Sequence, residues 1–406
     1  MEQIITSLLE TDMYKFSMGQ AIYHQFPGYM TTWGFKCRNE GVHFTHEMVE
    51  EIRRQVQAYC ELRFTEDELN YLRSIEWIKR NYVDFLRLWH PRFEEFSITE
   101  TEDGCGLSIE TSGTWLNTSF YEIPTLAIVN EVYFRMAADY GKLISSFRQR
   151  ADKKIAGLEN GTYALGSFSE FGLRRRLSRE AQEYAVSRLA ARQKECGFKE
   201  SLFVGTSNVL LAKQLGVSPV GTMAHEFVQC VGQGNRKHNP AYSNWYMLES
   251  WVKEYGVLNG IALTDTITTP VFCRDFRKTY ATLFSGVRHD SGDPYAWGEL
   301  MMEHYKSLGI DPRTKTLLFS DSLDFERATA LYRHFRDKAR VAFGIGTYIA
   351  NDTDIPPLNI VMKVTECNDG PVAKISDAEG KNMCKDPAYI HHLKRTIQWR
   401  LEHKEM

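Results

Sequence analysis

Most features that would settle a protein's class at a glance are missing from this 406-residue sequence. Neither sign of charge dominates: 49 Lys and Arg stand against 52 Asp and Glu, for a net charge of −3. That balance gives no global field for nucleic acid or an acidic membrane, so an anionic ligand has to be met by a local site. No apolar run approaches the roughly 18 residues of a membrane span. The eight cysteines (Cys37, Cys60, Cys105, Cys196, Cys230, Cys273, Cys367 and Cys384) form no CxxC pair. They read as reduced, mostly buried thiols rather than as a disulfide frame or zinc site. Glu2, Glu10 and Asp12 occupy the start where a signal peptide would carry basic residues, so none is expected and the expected location is cytoplasmic. A GxxxxGK[ST] loop and an HExxH pair are absent too, which excludes a P-loop nucleoside triphosphatase and argues against a metal centre. No metal ligand is assigned.

What is present is ordinary globular material, 43% hydrophobic and 25% charged. The length suits two or three domains, or one large barrel with an appendage. Helices are predicted around His46–Tyr59 and Glu66–Ile75, with extended segments at Met30–Cys37 and Leu107–Leu116. From about residue 200 a strand, polar tip, helix unit repeats. Strands are predicted at Leu202–Val204, Val217–Met223, Gly260–Leu263, Leu283–Val287, Thr316–Phe319 and Val341–Phe343. Helices follow at Val209–Leu215, Trp245–Tyr255, from Pro294 to Gly309, and over Phe325–Phe335. Repeated βα units imply a parallel sheet, doubly wound or closed, with its ligand site at the carboxyl ends of the strands. Those ends carry Thr206, Ser207, His225, Asp265, Arg288, Asp290, Ser320, Asp321, Gly344, Gly346 and Thr347.

Three stretches carry chemistry. Gly344-Ile345-Gly346-Thr347 offers unobstructed backbone N–H groups to a phosphate, although Ile349 spoils a GxGxxG fingerprint and a plain tight turn remains open. Arg288-His289-Asp290-Ser291-Gly292-Asp293-Pro294 combines cation and carboxylates for ribose hydroxyls and a diphosphate, with Asp293 capping the next helix. In Phe171-Gly172-Leu173-Arg174-Arg175-Arg176, one arginine beside the Phe171 ring suits a planar anion. Arg175, Arg176 and Arg179 read as a solvated helix start. His225 beside Glu226 is a candidate catalyst, with a satisfied structural histidine as the alternative.

Taken in order, Thr11-Asp12-Met13-Tyr14-Lys15, Phe171–Arg175, Gly205-Thr206-Ser207-Asn208-Val209, Gly221–Glu226, Arg288–Pro294 and Phe319-Ser320-Asp321 resemble nicotinate phosphoribosyltransferase. The resemblance implies an irregular (βα) barrel of the type II phosphoribosyltransferase kind, residues 126–349. An α/β domain of residues 1–125 would be joined by the return of 350–406. It also implies a homodimer with shared active sites. Tyr14, from the partner subunit, and Phe171 would sandwich the pyridine ring, Arg174 would face its carboxylate, and Thr206 and Ser207 would line the base pocket. His225 would be phosphorylated by ATP, with Glu226 to orient it. Arg288 and Asp290 would hold the ribose and diphosphate of phosphoribosyl pyrophosphate (PRPP), and Ser320, Asp321 and Gly344, Gly346 and Thr347 its 5-phosphate region. Asp265 would help through Mg²⁺ and water. The implied reaction joins nicotinate to PRPP, coupled to ATP hydrolysis through a phosphohistidine. Nicotinamide phosphoribosyltransferase is the nearest competitor; there an aspartate matches Ser207, and a carboxylate would repel nicotinate. A non-catalytic binding protein and a metal-dependent hydrolase are the readings from other classes.

Overall fold

The computed structural model of the chain describes residues 1–102, 105–377 and 384–403. Its strands, in chain order, are β1 (Met30–Cys37), β2 (Phe96–Glu100), β3 (Leu107–Thr114), β4 (Gly166–Glu170), β5 (Ser201–Thr206) and β6 (Ser218–Pro219). They continue with β7 (Ile261–Leu263), β8 (Gly286–His289), β9 (Thr316–Phe319), β10 (Arg340–Ile345), β11 (Ile360–Cys367) and β12 (Gly370–Pro371). Two sheets result. An antiparallel one runs β12-β11-β1-β3-β2, and a parallel one runs β6-β5-β4-β10-β9-β8-β7.

The antiparallel sheet shows its construction in β3, where Leu107, Ile109 and Thr111 are buried and Ser108, Glu110 and Ser112 are exposed. That period of two gives one wet face and one packed face. Against the packed face lies helix Trp115–Ala137, apolar nearly all round and touching β1, β3, β11 and the turn Leu173–Arg175. A helix buried on every side is the fold's central member, wedged between sheet and barrel. It runs through residue 125 without a break, so the sheet and the barrel share one continuous element there.

The parallel sheet curls. Its strands follow the chain from β7 to β10, then return to β4, β5 and β6, and Thr222 just past β6 donates its hydroxyl to the Ile261 carbonyl of β7 at 2.9 Å. The two edges are thus tied by a side chain rather than a ladder. All seven carboxyl ends open on one mouth, where barrel enzymes place their chemistry.

Several expected boundaries move. The βα run begins at β4, upstream of residue 200; Gly-Ser-Phe-Ser-Glu has no β-branched residue and is held by pairing with β5 and β10. Of the expected strand Val217–Met223 only Ser218–Pro219 pairs with β5, and Val220 N adds one further bond to Thr206 O at 3.0 Å. Lys278–Leu283 is helical, and β8 starts at Gly286, so Arg288 and His289 lie within the strand. Trp115 and Leu116, read as extended, open the central helix behind the Thr114 cap. Among the described residues no helix is long and apolar enough to cross a membrane.

Candidate active site

At the mouth of the barrel lies a cleft of about 740 Å³. Its base-sized end is built from β4. Phe171 N donates to Ile345 O at 2.8 Å, continuing the β4–β10 ladder and holding the ring over β10. A Cβ on Gly344 would lie 2.3 Å from that ring, so the glycine is the seat of Phe171. A Cβ on Gly172 would likewise strike Ala350, Glu170 and the Gly346 carbonyl. The turn therefore needs glycine before Arg174 can swing into the cleft. Glu170, fully buried, locks it: Gly172 N donates to Oε1, Thr206 Oγ1 to Oε2 at 2.6 Å, and Gln182 Nε2 to Oε2 at 3.0 Å. Burial outweighs these bonds and raises its carboxyl to about 7.

Opposite stands helix Met13–Gln25, whose first turn brings Tyr14 into the cleft wall. The chain thus places its own Tyr14 here, where the resemblance brings in that of a partner. Asp12 comes with it and accepts the Ser207 hydroxyl at 2.6 Å. Burial raises the Asp12 carboxyl to about 6, against the lowering effects of the Ser207 bond and Arg174. A carboxylate therefore does lie beside Ser207, supplied from another part of the chain. Arg174 lines the same end, with Nη1 3.8 Å from Glu122 Oε1. Glu122 also pairs with buried Lys15 at 2.7 Å.

The other end centres on His225, which opens helix His225–Gln233 instead of ending a strand. Its Nε2 lies 2.9 Å from Asp265 Oδ1, 2.8 Å from Lys374 Nζ and 3.7 Å from Asp290 Oδ2. Lys374 also donates to Asp265 Oδ2 at 2.7 Å, as does Ser291. Burial and the Lys374 charge press the His225 pKa down to about 4, so the ring is neutral near pH 7. Asp265 stays ionised because His225 and Lys374 overcome its burial. Glu226 does not orient His225. One residue further round the helix, it turns into the protein to meet Lys15, Ser119 and Trp115.

Between these ends Asp290 accepts the Ser320 hydroxyl at 3.0 Å, and Arg288 donates to Met223 O at 3.0 Å. Burial would raise the Asp290 carboxyl, but Arg288 and His225 hold it below the usual range. Ser320, Asp321, Gly344, Gly346 and Thr347 all border the cleft. The helix Thr347–Ala350 is a single turn, too short for a helix-end anion site. Asp293 caps Pro294–Ser307, accepting from Tyr295 N at 2.9 Å.

Two expected residues are not in the wall. Thr206 is fully buried behind Ser207, and Asp265 is buried behind His225. The arginine run also divides differently: Arg175 lines the cleft, and Arg176 is fully buried against Glu10 at 2.6 Å. Arg179 alone keeps a surface role, donating to Thr6. Sequence reading missed Asp12, Glu122, Arg38, Lys363 and Lys374, all in the wall. Asp12 was legible within the Thr11–Lys15 motif; Lys374 sits in Val-Ala-Lys-Ile-Ser, which carries no signal. Lys363 is pushed down to about 8 by burial and by Lys374, Arg38 and Arg174, all cations. Such crowding marks a place built for a polyanion. His225, Asp265 and Asp290 offer ligand atoms within 4.8 Å of one another, yet the Lys374 ammonium already holds that position.

A curled parallel sheet whose mouth joins an aromatic slot to a cation-rich cleft defines an α/β-barrel enzyme of the type II phosphoribosyltransferase fold. A model described as the nicotinate phosphoribosyltransferase (NAPRTase) family matches residues 167–400, and one for the NAPRTase N-terminal domain matches residues 9–130. The chain belongs to the nicotinate phosphoribosyltransferase family. It is 46% identical over 396 residues to the nicotinate phosphoribosyltransferase of Bordetella petrii, covering 97% of this chain and 99% of that protein. The Cupriavidus necator enzyme of the same name is 46% identical over 397 residues, 97% and 98% of the two chains. Crystal structures of nicotinate phosphoribosyltransferases superpose well: Vibrio cholerae with a TM-score of 0.88, 33% identity and 98% and 94% coverage. The Porphyromonas gingivalis structure gives 0.85, 33% identity and 97% and 100% coverage.

Proposed function

We propose that the enzyme makes nicotinate mononucleotide from nicotinate and PRPP, and that His225 couples the transfer to ATP hydrolysis. Nicotinate, PRPP, ATP and water would become nicotinate mononucleotide, diphosphate, ADP and phosphate. The supporting observation is the Lys374–Asp265–His225 chain opening on the cleft that holds Phe171 and Arg174.

The ring would lie between Phe171 and Tyr14, with Arg174 meeting its carboxylate. Ser207, its hydroxyl committed to Asp12, would set the slot's depth. The pyridine nitrogen attacks the anomeric carbon as diphosphate leaves, through an oxocarbenium-like transition state. Asp290, held ionised, would lie near the developing positive charge, and Arg288 would meet the ribose and diphosphate. Ser320, Asp321, Gly344, Gly346 and Thr347 would take the 5-phosphate region. Asp290 and Asp321 present the hard oxygen donors that Mg²⁺ takes, and Mg²⁺ when bound neutralises the leaving diphosphate.

A neutral imidazole is the form that accepts a phosphoryl group. Asp265 Oδ1 at 2.9 Å and Lys374 Nζ at 2.8 Å both contact Nε2, so Nδ1 is the ring nitrogen free of them, and the Nε2–H tautomer, in which Asp265 accepts, is the one that would make Nδ1 the nucleophile. The assembly would be a homodimer, readable by sedimentation.

Product formation from nicotinate and PRPP, with and without ATP, tests this in the wild type and His225→Ala. ATP stimulation lost in the variant, with basal transfer kept, is the expected result. Equal stimulation in both would refute the phosphohistidine. Turnover of nicotinamide in place of nicotinate would refute the pocket reading.

A further inference from the structure

The central helix Trp115–Ala137 turns Trp115, Ser119 and Glu122 to one face, at the i, i+4, i+7 spacing of a helical stripe. That face meets Lys15, the third residue of helix Met13–Gln25 and the chain neighbour of Tyr14. Lys15 is fully buried, with the Trp33 ring 4.9 Å and the Tyr14 ring 5.4 Å from its ammonium. Two carboxylates accept its protons, Glu122 Oε2 at 2.7 Å and Glu226 Oε2. Glu226 has further donors in Ser119 and Trp115. Burial works against the Lys15 charge, but Glu122 and Glu226 more than offset it and hold the pKa above the ordinary lysine value.

Glu122 has a second oxygen. Its Oε1 faces Arg174 Nη1 at 3.8 Å, close enough to attract and too far to hydrogen-bond. Among the described residues no acceptor takes a hydrogen bond from the Arg174 guanidinium, which is 43% exposed where it lines the cleft. Glu122 therefore sits between two cations and is bonded to one of them. The uncommitted fork of Arg174 is what a planar carboxylate needs for a two-point bond.

We propose that Lys15 is a positioning residue for the choice of an anionic base: it holds Glu122 off Arg174 and so keeps the guanidinium open to the carboxylate of the base. This rests on the nicotinate reading given above. Without the Lys15 ammonium, Glu122 has Arg174 as its remaining cation. Closing the 3.8 Å gap to the ~2.8 Å of a charge-assisted bond takes only a small side-chain rotation. The incoming base then has to displace Glu122 before its own carboxylate can be met.

Steady-state kinetics of Lys15→Met and the wild type, with nicotinate and PRPP varied in turn, test this. KM for nicotinate should rise about 10- to 100-fold, the worth of a hydrogen bond to a charged group. KM for PRPP and kcat at saturating nicotinate should stay within a few-fold of the wild type. Lys15→Met/Glu122→Gln should bring KM for nicotinate most of the way back, because a neutral carboxamide competes weakly for the guanidinium. A merely structural role for Lys15 would show no such return. Should Lys15→Met fail to fold, Lys15→Met/Glu226→Gln leaves Glu122 as the one carboxylate deprived of Lys15 and carries the same comparison, with Glu122→Gln added for the return. An unmoved KM for nicotinate, equal rises in both KM values, or no return on adding Glu122→Gln would overturn the proposal. A wild type that does not turn over nicotinate would instead overturn the function on which it rests.

Discussion

Replacing Asp265 by asparagine isolates the charge chain beneath His225. The carboxamide keeps the shape but removes the anion from a residue 1% exposed, and leaves the Lys374 ammonium, 5% exposed, without its partner at 2.7 Å. Attraction across that distance is about 6 kcal/mol at an effective dielectric near 20. Breaking a buried pair from one side typically costs about 3–5 kcal/mol, because the remaining charge stays desolvated. Removing both charges is far cheaper. Asp265→Asn should therefore lose about 3–5 kcal/mol, and Asp265→Asn/Lys374→Met should regain roughly 1–3 kcal/mol of it. Equilibrium urea unfolding of the wild type, both single variants and the double variant reads the coupling. Transfer of label from γ-labelled ATP reads the imidazole separately. Asparagine can turn its amide N–H toward Nε2 and favour the other tautomer, so labelling should fall on the order of 100-fold even where stability returns. Additive stability losses within about 0.5 kcal/mol would refute the pairing. Full labelling of Asp265→Asn would refute the orienting role.

Ser207→Asp sets a second carboxylate beside Asp12, and at about 6 Å from the nicotinate carboxylate repulsion is roughly 3 kcal/mol. Its kcat/KM for nicotinate should drop about 100-fold and nicotinamide should gain; steady-state kinetics with both bases checks this, and an unchanged preference would sink the pocket assignment. Gly344→Ala pushes a methyl into the Phe171 ring, so KM for nicotinate should rise while stability falls by about 1–3 kcal/mol. Retained KM would mean that Phe171 does not meet the base. For Glu170→Gln the sign follows from a raised carboxyl. Between the ordinary glutamate value of 4.5 and about 7 the folded protein holds a proton that the unfolded chain has released, so unfolding sheds it and wild-type stability falls as pH rises. Urea midpoints at pH 5 and pH 8 should show the wild type losing up to about 3 kcal/mol relative to the variant. A pH-independent difference would show Glu170 ionised throughout.

The sequence by itself determined the repeating βα chemistry and most of the wall of the cleft. Short β-rich runs ending in polar residues force the side chains at their ends to one mouth once the strands lie parallel. That is why Ser207, Arg288, Asp290, Ser320 and Asp321 meet in one cleft. Local rules also located the caps, such as Asp293 before Pro294. Tertiary structure decided the rest, because it concerns residues that become neighbours only through packing. β4 exists because β5 and β10 flank it, its own five residues having little strand preference. Glu226 faces Lys15 while His225 faces Asp265, a division made by the helix's rotation and invisible in two adjacent letters. Asp12 reaches Ser207 across 195 positions, and Lys374 reaches His225 across 149. Sequence periodicity reports which face of an element is buried; it carries no record of which distant charge that face will meet.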